Sequence, residues 1–491
     1  MKKTQLLDKA NSRFSKKQLA RLETAIDFAA QAHATQKRIG GEPYIIHPVA
    51  VAGYLCDWNL DLDTLIAGLL HDVVEDTDVE LPEIEKQFGH DVAFLVDGVT
   101  KLGELRKGMR EIDSYLPATK DNLTKLLIAT GQDIRVIIIK LADRLNNLQT
   151  LYALPRDKQQ KIALESLRVF APLADRLNMG RVRVQIEEIS FSYLDKHRFN
   201  FLKKQMKKRL GRASKKLDRV RADVAKLLNQ NHIKFTMDGR IKSVYSLHKK
   251  LEKYEQNLDA IHDLIALRII VPNKNACYQA LGLINGLYTP MTDRIKDYIA
   301  MPKPNGYQSL HTTVVTPDEQ IVEFQIRTER MHDYAERGLA ASFHYNEQKL
   351  TDAYKKGQIA AMPANLDWIA DLQKAAARLA AGQKVDTEKL RLNLFSDRIF
   401  VYTPRGDIFD LPDGALPLDF AYRVHSDVGA RAQSFKVNGR IAKSDTPLKT
   451  GDVVEIITRN NIRPTIDWLK RIVTSHARQK IKQQLRRELK K

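Results

Sequence analysis

From the N-terminus to about residue 195 the apolar positions recur every three or four residues. KQLARLETAIDFAAQAH, DTLIAGLLHDVVED and IRVIIIKLADRLNNLQTL all carry this spacing, which predicts a helical region with few strands. A very basic helical stretch follows, FLKKQMKKRLGRASKKLDRVRADVAKLL, which reads as a connector or a solvated face. Around residue 233 the period drops to two. DLIALRIIV and EQIVEFQIRT are short, β-branched and bounded by polar or turn residues, as strands are. In the second, Val322, Phe324 and Ile326 face one way while Glu323, Gln325 and Arg327 face the other. Ala-rich helical sequence returns between about 335 and 390. From Asp397 to Thr458 the pattern is one of short strands and turns, with one short helix near PLDFAYRVH, and the tail DWLKRIVTSHARQKIKQQLRRELKK is again helical and strongly basic.

Spread over 491 residues, these styles imply several domains rather than one core. No stretch approaches the roughly 18 uncharged apolar residues that cross a bilayer, and the N-terminus lacks the apolar segment of a secretory signal. Only Cys56 and Cys277 are present, far apart, which argues against a disulfide framework or a thiolate zinc site. The expectation is a cytoplasmic chain with no membrane partner. The net charge of +20 favours polyanionic partners such as nucleotides, RNA or the ribosome, or else a solvated lysine-rich surface.

LIAGLLHDVVEDTD, Leu65 to Asp78, begins as the buried side of a helix and ends in carboxylates. On a continuous helix His71 stacks over Glu75 and Asp72 over Asp76. Neighbouring carboxylates repel, so such a cluster on a core-facing side needs a cation. YIIHPVAVAGYL adds His47, with Pro48 suited to open a helix, and KLADRLNNL adds Asp143. Two imidazoles and two carboxylates suit Mn²⁺, Fe²⁺ or Zn²⁺. Such an ion lowers the pKa of water for attack on phosphorus, and Glu75 and Asp76 are positioned to move the proton. A lone His-Asp pair is more often structural; H…HD…D on consecutive helices reverses that weighting and resembles the HD phosphohydrolase superfamily.

Longer motifs narrow the resemblance. RIGGEPYIIHP, LLHDVVEDTD, FLVDGVTKL and KLADRLNNLQTL together resemble the hydrolase domain of the long RelA/SpoT-type enzymes of (p)ppGpp metabolism. That resemblance implies manganese-dependent removal of the 3′-pyrophosphate, with His47, His71, Asp72 and Asp143 as metal ligands, Glu75 and Asp76 as catalytic residues, and Arg38 and Asn147 in contact with nucleotide. Asn146 stands where many members have histidine; it matches no ligand position.

DGRIKSVYSLHKK places Arg240, Lys242, Lys249 and Lys250 around Ser246, a basic turn and helix entrance suited to a triphosphate or simply to solvent. Asp263 starts one strand and Glu323 projects from the open face of another. Two carboxylates on neighbouring strands suit Mg²⁺ and the activation of a hydroxyl. In KPNGYQSLHTTV, strand geometry gives Tyr307, Ser309 and His311 one face. The blocks GRIKSVYSL, HDLIALRIIV, RIKDYIAMPKPNGYQSLHTTV and VEFQIRT resemble, in order, the synthetase domain of the same family, a nucleotidyltransferase-like fold. The implied reaction moves the β,γ-pyrophosphate of ATP onto the 3′-oxygen of GDP or GTP, releasing AMP. Asp263 then binds Mg²⁺, Glu323 activates the hydroxyl and Tyr307 stacks on guanine. Arg240, Lys242, Ser246, Lys250, Lys296, Lys303, Asn305 and His311 line the nucleotide sites. RIKD, Arg294 to Asp297, is the basic form that in this family accompanies both activities.

Residues 397–458 resemble a TGS domain, a β-grasp module whose equivalent contacts tRNA; His425 in YRVHSDVG is the residue expected at that contact. Long members of the family continue into further regulatory domains, and the chain reads as a naturally short or a truncated form. The resulting expectation is a multidomain α+β protein. It has an all-α HD hydrolase domain at 1–195, an α/β synthetase domain at 196–345 and a helical linker at 346–395. A β-grasp TGS domain at 396–460 and a basic helical tail at 461–491 complete it. ATP, GDP or GTP, (p)ppGpp and tRNA or the ribosome are the expected partners, with Mn²⁺ and Mg²⁺ as cofactors. Running both reactions together consumes ATP without net product, so a switch between them is expected. A single-activity enzyme and a noncatalytic RNA-binding regulator are the alternatives.

Overall fold

The computed structural model describes residues 1–100, 133–253, 265–303, 305–338, 378, 398–449, 451–459 and 461–488. Asp263 and nearly all of the expected 346–395 linker lie outside them. The described residues fall into two compact units, divided between residues 338 and 378.

The first unit opens with helices α1 (Lys3–Asn11), α2 (Lys16–Ala32), α3 (Ile46–Asp57), α4 (Leu62–Leu70), α5 (Val73–Asp76) and α6 (Leu81–Phe88). After them come α7 (Ile134–Gln149), α8 (Arg156–Glu165), α9 (Ala171–Arg176) and α10 (Gly180–Leu194). Local signals set the starts. Ser15 and Gln18 form a reciprocal cap on α2, and the Asp61 carboxylate accepts from Thr64 N at the head of α4. Packing sets the rest. A Cβ at Gly68 would lie 2.4 Å from Leu55 Cδ1, so the Leu55 side chain of α3 fills the space that residue 68 of α4 leaves open. Helix α7 is buried along almost its whole length, which makes it the centre of the domain. Lys140, Asp143, Arg144 and Asn146 are buried with it.

Helix α11 (Lys196–Gln230) joins this domain to a mixed sheet. Its first half packs Leu202 and Met206 against Phe191 of α10, and its second half packs Val220, Val224 and Leu228 against the sheet. Strands β1 (Thr236–Ile241), β2 (Ile265–Val271), β3 (Thr289–Pro290), β4 (Lys296–Asp297), β5 (Leu310–Val315) and β6 (Ile321–Thr328) run in the order β1-β2-β6-β5-β3, with β4 also on β5. The β2–β6 pair is parallel and its neighbours are antiparallel. Helix α12 (Val244–Lys253) follows β1, α13 (Lys274–Leu287) follows β2 and α14 (Glu329–Arg337) follows β6. One face of the sheet buries Leu267, Ile269, Leu310, Val314, Val322, Phe324 and Ile326 under α11 and α13, each worth about 1.5–3 kcal/mol of burial. The alternation in β6 is as the sequence requires, but its polar face is not open to water: Gln325 and Arg327 are buried too.

The second unit pairs β7 (Arg398–Tyr402) with β8 (Ile408–Pro412). It also places β9 (Ala432–Val437) between β10 (Arg440–Ala442) and β11 (Val454–Thr458). Helices α15 (Pro417–Val424), α16 (Ser426–Ala430) and α17 (Ser475–Glu488) complete it. The expected short helix is α15. The basic tail does not stand apart: Ala477 and Ile481 of α17 pack on Leu418, Ala421 and Tyr422 of α15. Buried Asp419 accepts from Val473 N, Thr474 N and the Thr474 hydroxyl, tying that helix start to the module. Among the described residues no helix is long and apolar enough to cross a membrane.

Candidate active sites

His47 and Pro48 lie in the first turn of α3, while His71 follows α4. The helix through HD is not continuous: α4 ends at Leu70, and α5 begins at Val73. The backbone still carries Asp76 N to Asp72 O at 2.9 Å, so Asp72 and Asp76 remain stacked and both accept from the Tyr44 hydroxyl, at 2.7 and 3.2 Å. The polar residues of α7 complete the cluster. One ligand atom from each of His47, His71 and Asp143 lies within 4.8 Å of the other two, and all three residues are buried. Asp72 Oδ2 stands 3.0 Å from His71 Nε2 and 3.5 Å from His47 Nε2.

The outer hydrogen bonds fix the chemistry of the imidazoles. His71 Nδ1 donates to Gly68 O at 2.9 Å, which leaves Nε2 as the nitrogen that faces the cluster. That atom is fully buried, has no hydrogen-bond partner and faces carboxylate oxygens. Imidazole nitrogens and carboxylate oxygens that face one another inside a protein are held together by a proton or by a metal ion, and this donor set fits a divalent metal ion. His47 Nδ1 donates to Asn146 Oδ1 at 2.7 Å, which aims its Nε2 into the same space. Burial opposes charge on His47, but Asp143 and Asp72 outweigh it and raise its pKa to about 9. Both carboxylates are held well below their ordinary range against the cost of burial, Asp72 by positive charge on His71 and His47, Asp143 by Lys140 and positive charge on the two imidazoles; a bound cation would supply that charge in the protons' place. Lys140 Nζ occupies Asp143 Oδ2 at 3.0 Å, turning Oδ1 toward the histidines.

Arg38 donates to Asn146 at 3.1 Å and Thr150 at 3.0 Å, with Asn147 Oδ1 at 3.4 Å, which brings the two residues expected at the nucleotide together beside the cluster. Asn147 also donates to Asp143. Glu75 is half-buried and Asp76 exposed, one turn beyond the ligands. Sequence reasoning missed Tyr44, Lys140 and the bond from His47 to Asn146. Asn146, which matches no ligand position in the sequence, orients a ligand.

The second cluster lies on the polar face of the sheet. Arg240 is on strand β1 rather than on a turn, and its guanidinium donates to Gln325 Oε1 at 3.0 Å. Gln325 Nε2 donates to Glu323 Oε1 at 3.2 Å, and His311 Nδ1 reaches the same oxygen at 3.0 Å. Burial would raise the pKa of Glu323, but His311, Lys242 and Gln325 bring it to about 2. Burial keeps His311 neutral, aided by Lys303 and Lys296. Its Nε2 then accepts from the Tyr307 hydroxyl at 3.0 Å. Lys303 Nζ sits between the rings of Tyr298 and Tyr307, 4.8 and 5.1 Å from their centres, and burial lowers its pKa.

Several expectations change here. Ser309 is fully buried and its hydroxyl bonds the backbone carbonyls of Leu310 and Ile326 rather than a side chain of the cluster. Lys249 leaves the cluster for Glu187 of α10, 3.6 Å away, and the ring of Tyr245. Ser246 N and its hydroxyl bond Ser243 at the head of α12, between half-buried Lys242 and Lys250. Asn305 donates to Asp175 O of α9 at 3.0 Å, so the loop expected at the nucleotide also touches the helical domain. Lys296 is exposed beside His311 on β4. In the second unit His425 is exposed and caps α16 by accepting from Asp427 N.

Known proteins share these features. A model of the HD domain matches residues 25–180, one described as a region found in RelA/SpoT proteins matches residues 239–350, and one of the TGS domain matches residues 399–458. The chain is 41% identical over 461 residues to a GTP pyrophosphokinase of Myxococcus xanthus, covering 94% of this chain and 60% of that one. It is 41% identical over 471 residues to the bifunctional (p)ppGpp synthase/hydrolase SpoT of Escherichia coli, covering 96% and 65%. Over 482 residues it is 40% identical to a guanosine-3′,5′-bis(diphosphate) 3′-pyrophosphohydrolase of Vibrio cholerae, covering 98% and 67%. It thus spans between three fifths and two thirds of the length of these curated relatives. With an HD domain, a synthetase region and a TGS domain in that order, the chain belongs to the RelA/SpoT family.

Proposed function

We propose that this chain both makes and degrades (p)ppGpp, using the helical cluster for hydrolysis and the sheet cluster for synthesis. The observation that carries the reading is the pairing of two polar clusters with opposite needs: buried donor atoms converging within 4.8 Å of one another, as a cation would need, and an ionised carboxylate on a sheet face lined with lysine and arginine.

For hydrolysis, His47, His71, Asp72 and Asp143 are the residues that would hold Mn²⁺. The ion supplies Lewis-acid charge for phosphate and lowers the pKa of water. Glu75 and Asp76 take the proton of the attacking water, with Asp76 held by Tyr44. Arg38 and Asn147 bind the nucleotide. The bond between phosphorus and the 3′-oxygen breaks, leaving GDP or GTP and pyrophosphate.

For synthesis, Glu323 is ionised throughout the neutral range and accepts the proton of the 3′-hydroxyl of GDP or GTP. The 3′-oxygen then bonds to the β-phosphorus of ATP as AMP departs. Arg240, Lys242, Ser246, Lys250, Lys296, Lys303 and Asn305 bind and orient the phosphates, His311 holds Glu323, and Tyr307 offers a face to guanine. The Mg²⁺ expected here rests on Asp263. His425 and the basic helix α17 are proposed to meet tRNA or the ribosome.

Two assays on one preparation test this: pyrophosphate release from ppGpp with Mn²⁺, and AMP release from ATP and GDP with Mg²⁺. Activity in both is expected. Activity in one alone reduces the chain to a single-activity enzyme, and silence in both makes it a noncatalytic regulator.

A further inference from the structure

Gln325 is absorbed by neither the sequence motifs nor the roles above, yet it bonds two residues that are. Its amide oxygen accepts from Arg240 on β1, and its amide nitrogen donates to Glu323 on its own strand. The orientation follows from chemistry. A guanidinium can only donate and an ionised carboxylate can only accept, so the oxygen must face Arg240 and the nitrogen Glu323. The chain of bonds continues through His311 to Tyr307. Arg240, Gln325, Glu323, His311 and Tyr307 therefore form one file across the polar face of the sheet.

Both donors to Glu323 end on the same oxygen, Oε1. Among the described residues none donates to Oε2. An oxygen that already accepts two hydrogen bonds is the weaker base, so Oε2 is left to take a proton. The two donors on Oε1 also fix the plane of the carboxylate.

We infer that Gln325 is a positioning residue for pyrophosphate transfer, holding Glu323 so that Oε2 meets the 3′-hydroxyl and tying that alignment to the nucleotide cation Arg240. This rests on the reading of Glu323 as the base. The proton of the 3′-hydroxyl passes to Oε2 while the 3′-oxygen bonds to the β-phosphorus. The bond from that phosphorus to the bridging oxygen breaks, and its electron pair leaves on AMP. Gln325 itself touches neither substrate; it acts through the residues on either side. A buried glutamine that merely satisfies the sheet face would have no such link to turnover.

The test uses the full chain and measures AMP release from ATP and GDP alongside ppGpp hydrolysis, which reports that the fold is intact. Gln325→Met keeps length and loses both hydrogen bonds. Misalignment of a reacting group by about 1 Å costs on the order of 100-fold, so its synthetic kcat should fall about 10- to 100-fold while KM for both nucleotides and the hydrolysis rate hold. Gln325→Glu keeps an acceptor for Arg240 but sets a like charge against Glu323, and should be slower still. Combining Gln325→Met with Arg240→Ala should cost less than the product of the two single losses, because both break one file. Unchanged kcat in an active chain, a loss confined to KM, or single losses that multiply would overturn the inference alone. An unsubstituted chain that releases no AMP overturns the reading of the site and the inference with it.

Discussion

The two polar clusters of the first unit differ in what they lack. On the helices, a buried imidazole nitrogen without a hydrogen-bond partner and carboxylate oxygens face one another. On the sheet, each donor meets an acceptor from Arg240 to Tyr307, and the carboxylate is already ionised and held. A buried cluster of metal donors gains stability from an ion that binds only the folded chain; one whose bonds are already matched does not need it to fold. The helical site is therefore expected to be linked to metal in its stability, and the sheet site in its turnover alone.

The largest effect that separates them is loss of one activity at a time. His71→Gln or Asp143→Asn should abolish pyrophosphate release from ppGpp and leave AMP release near that of the unsubstituted chain. Glu323→Gln should do the reverse, because it removes the proton acceptor without removing the hydrogen bonds that hold residue 323. If His71→Gln silenced both while the melting curve was unchanged, the clusters would not be independent sites.

Stability provides the next test. A ligand that binds only the folded chain, at a hundred times its dissociation constant, stabilises by about 2.7 kcal/mol, which for a domain of this size is roughly 5–11 °C in melting temperature. Mn²⁺ should raise the first melting transition of the unsubstituted chain by that order and leave that of His71→Gln in place. Equal shifts in both would place the ion elsewhere.

What could be read from the chain beforehand follows from the range of each interaction. The helical period of IRVIIIKLADRLNNLQ and the alternation of IVEFQIRT are local, and both elements formed as read. The residues H, HD and D could be gathered because each sits at the end of an apolar run that must be buried. The partners around them could not. Tyr44 meets Asp72 across 28 residues and Asn146 meets His47 across 99, with no periodicity to announce either bond. The break after Leu70 was hidden for another reason: its backbone stays in the helical region, so composition gives no stop signal. Arg240 was placed on a turn because a two-sided polar strand at a sheet edge has no apolar alternation to reveal it.

Asn146 offers a test one step weaker than the ligands themselves. Removing a residue that orients a metal-binding imidazole typically lowers metal affinity about 10- to 100-fold. Asn146→Ala should raise the Mn²⁺ concentration needed for half-maximal hydrolysis by that factor without touching synthesis. Asn146→His, the residue many relatives were expected to carry here, keeps an acceptor for His47 and should recover part of the loss. An unaltered Mn²⁺ requirement in Asn146→Ala would leave the orientation of His47 to packing alone.

The smallest expected effect concerns how the two sites communicate. Asn305 donates to Asp175 O, and Asn178, in the left-handed region at φ 55°, donates to Tyr334 O at 2.9 Å. Gly338 closes the same junction, since a Cβ there would lie 2.1 Å from Leu177 O. Helix α9 thus rests on the loop that also carries Lys303 and Tyr307, and the turn after it rests on the end of α14. A nucleotide that engages Asn305 competes for the amide that holds Asp175, so occupancy of the sheet site should loosen the end of the helical domain. In the unsubstituted chain, saturating GDP with ATP omitted should slow ppGpp hydrolysis. Asn178→Gly keeps the backbone conformation and removes one neutral hydrogen bond, a change of about 1 kcal/mol. It should weaken that slowing by a factor of a few, with both unregulated rates held. A hydrolysis rate indifferent to GDP would mean that the junction joins the domains without carrying a signal between them.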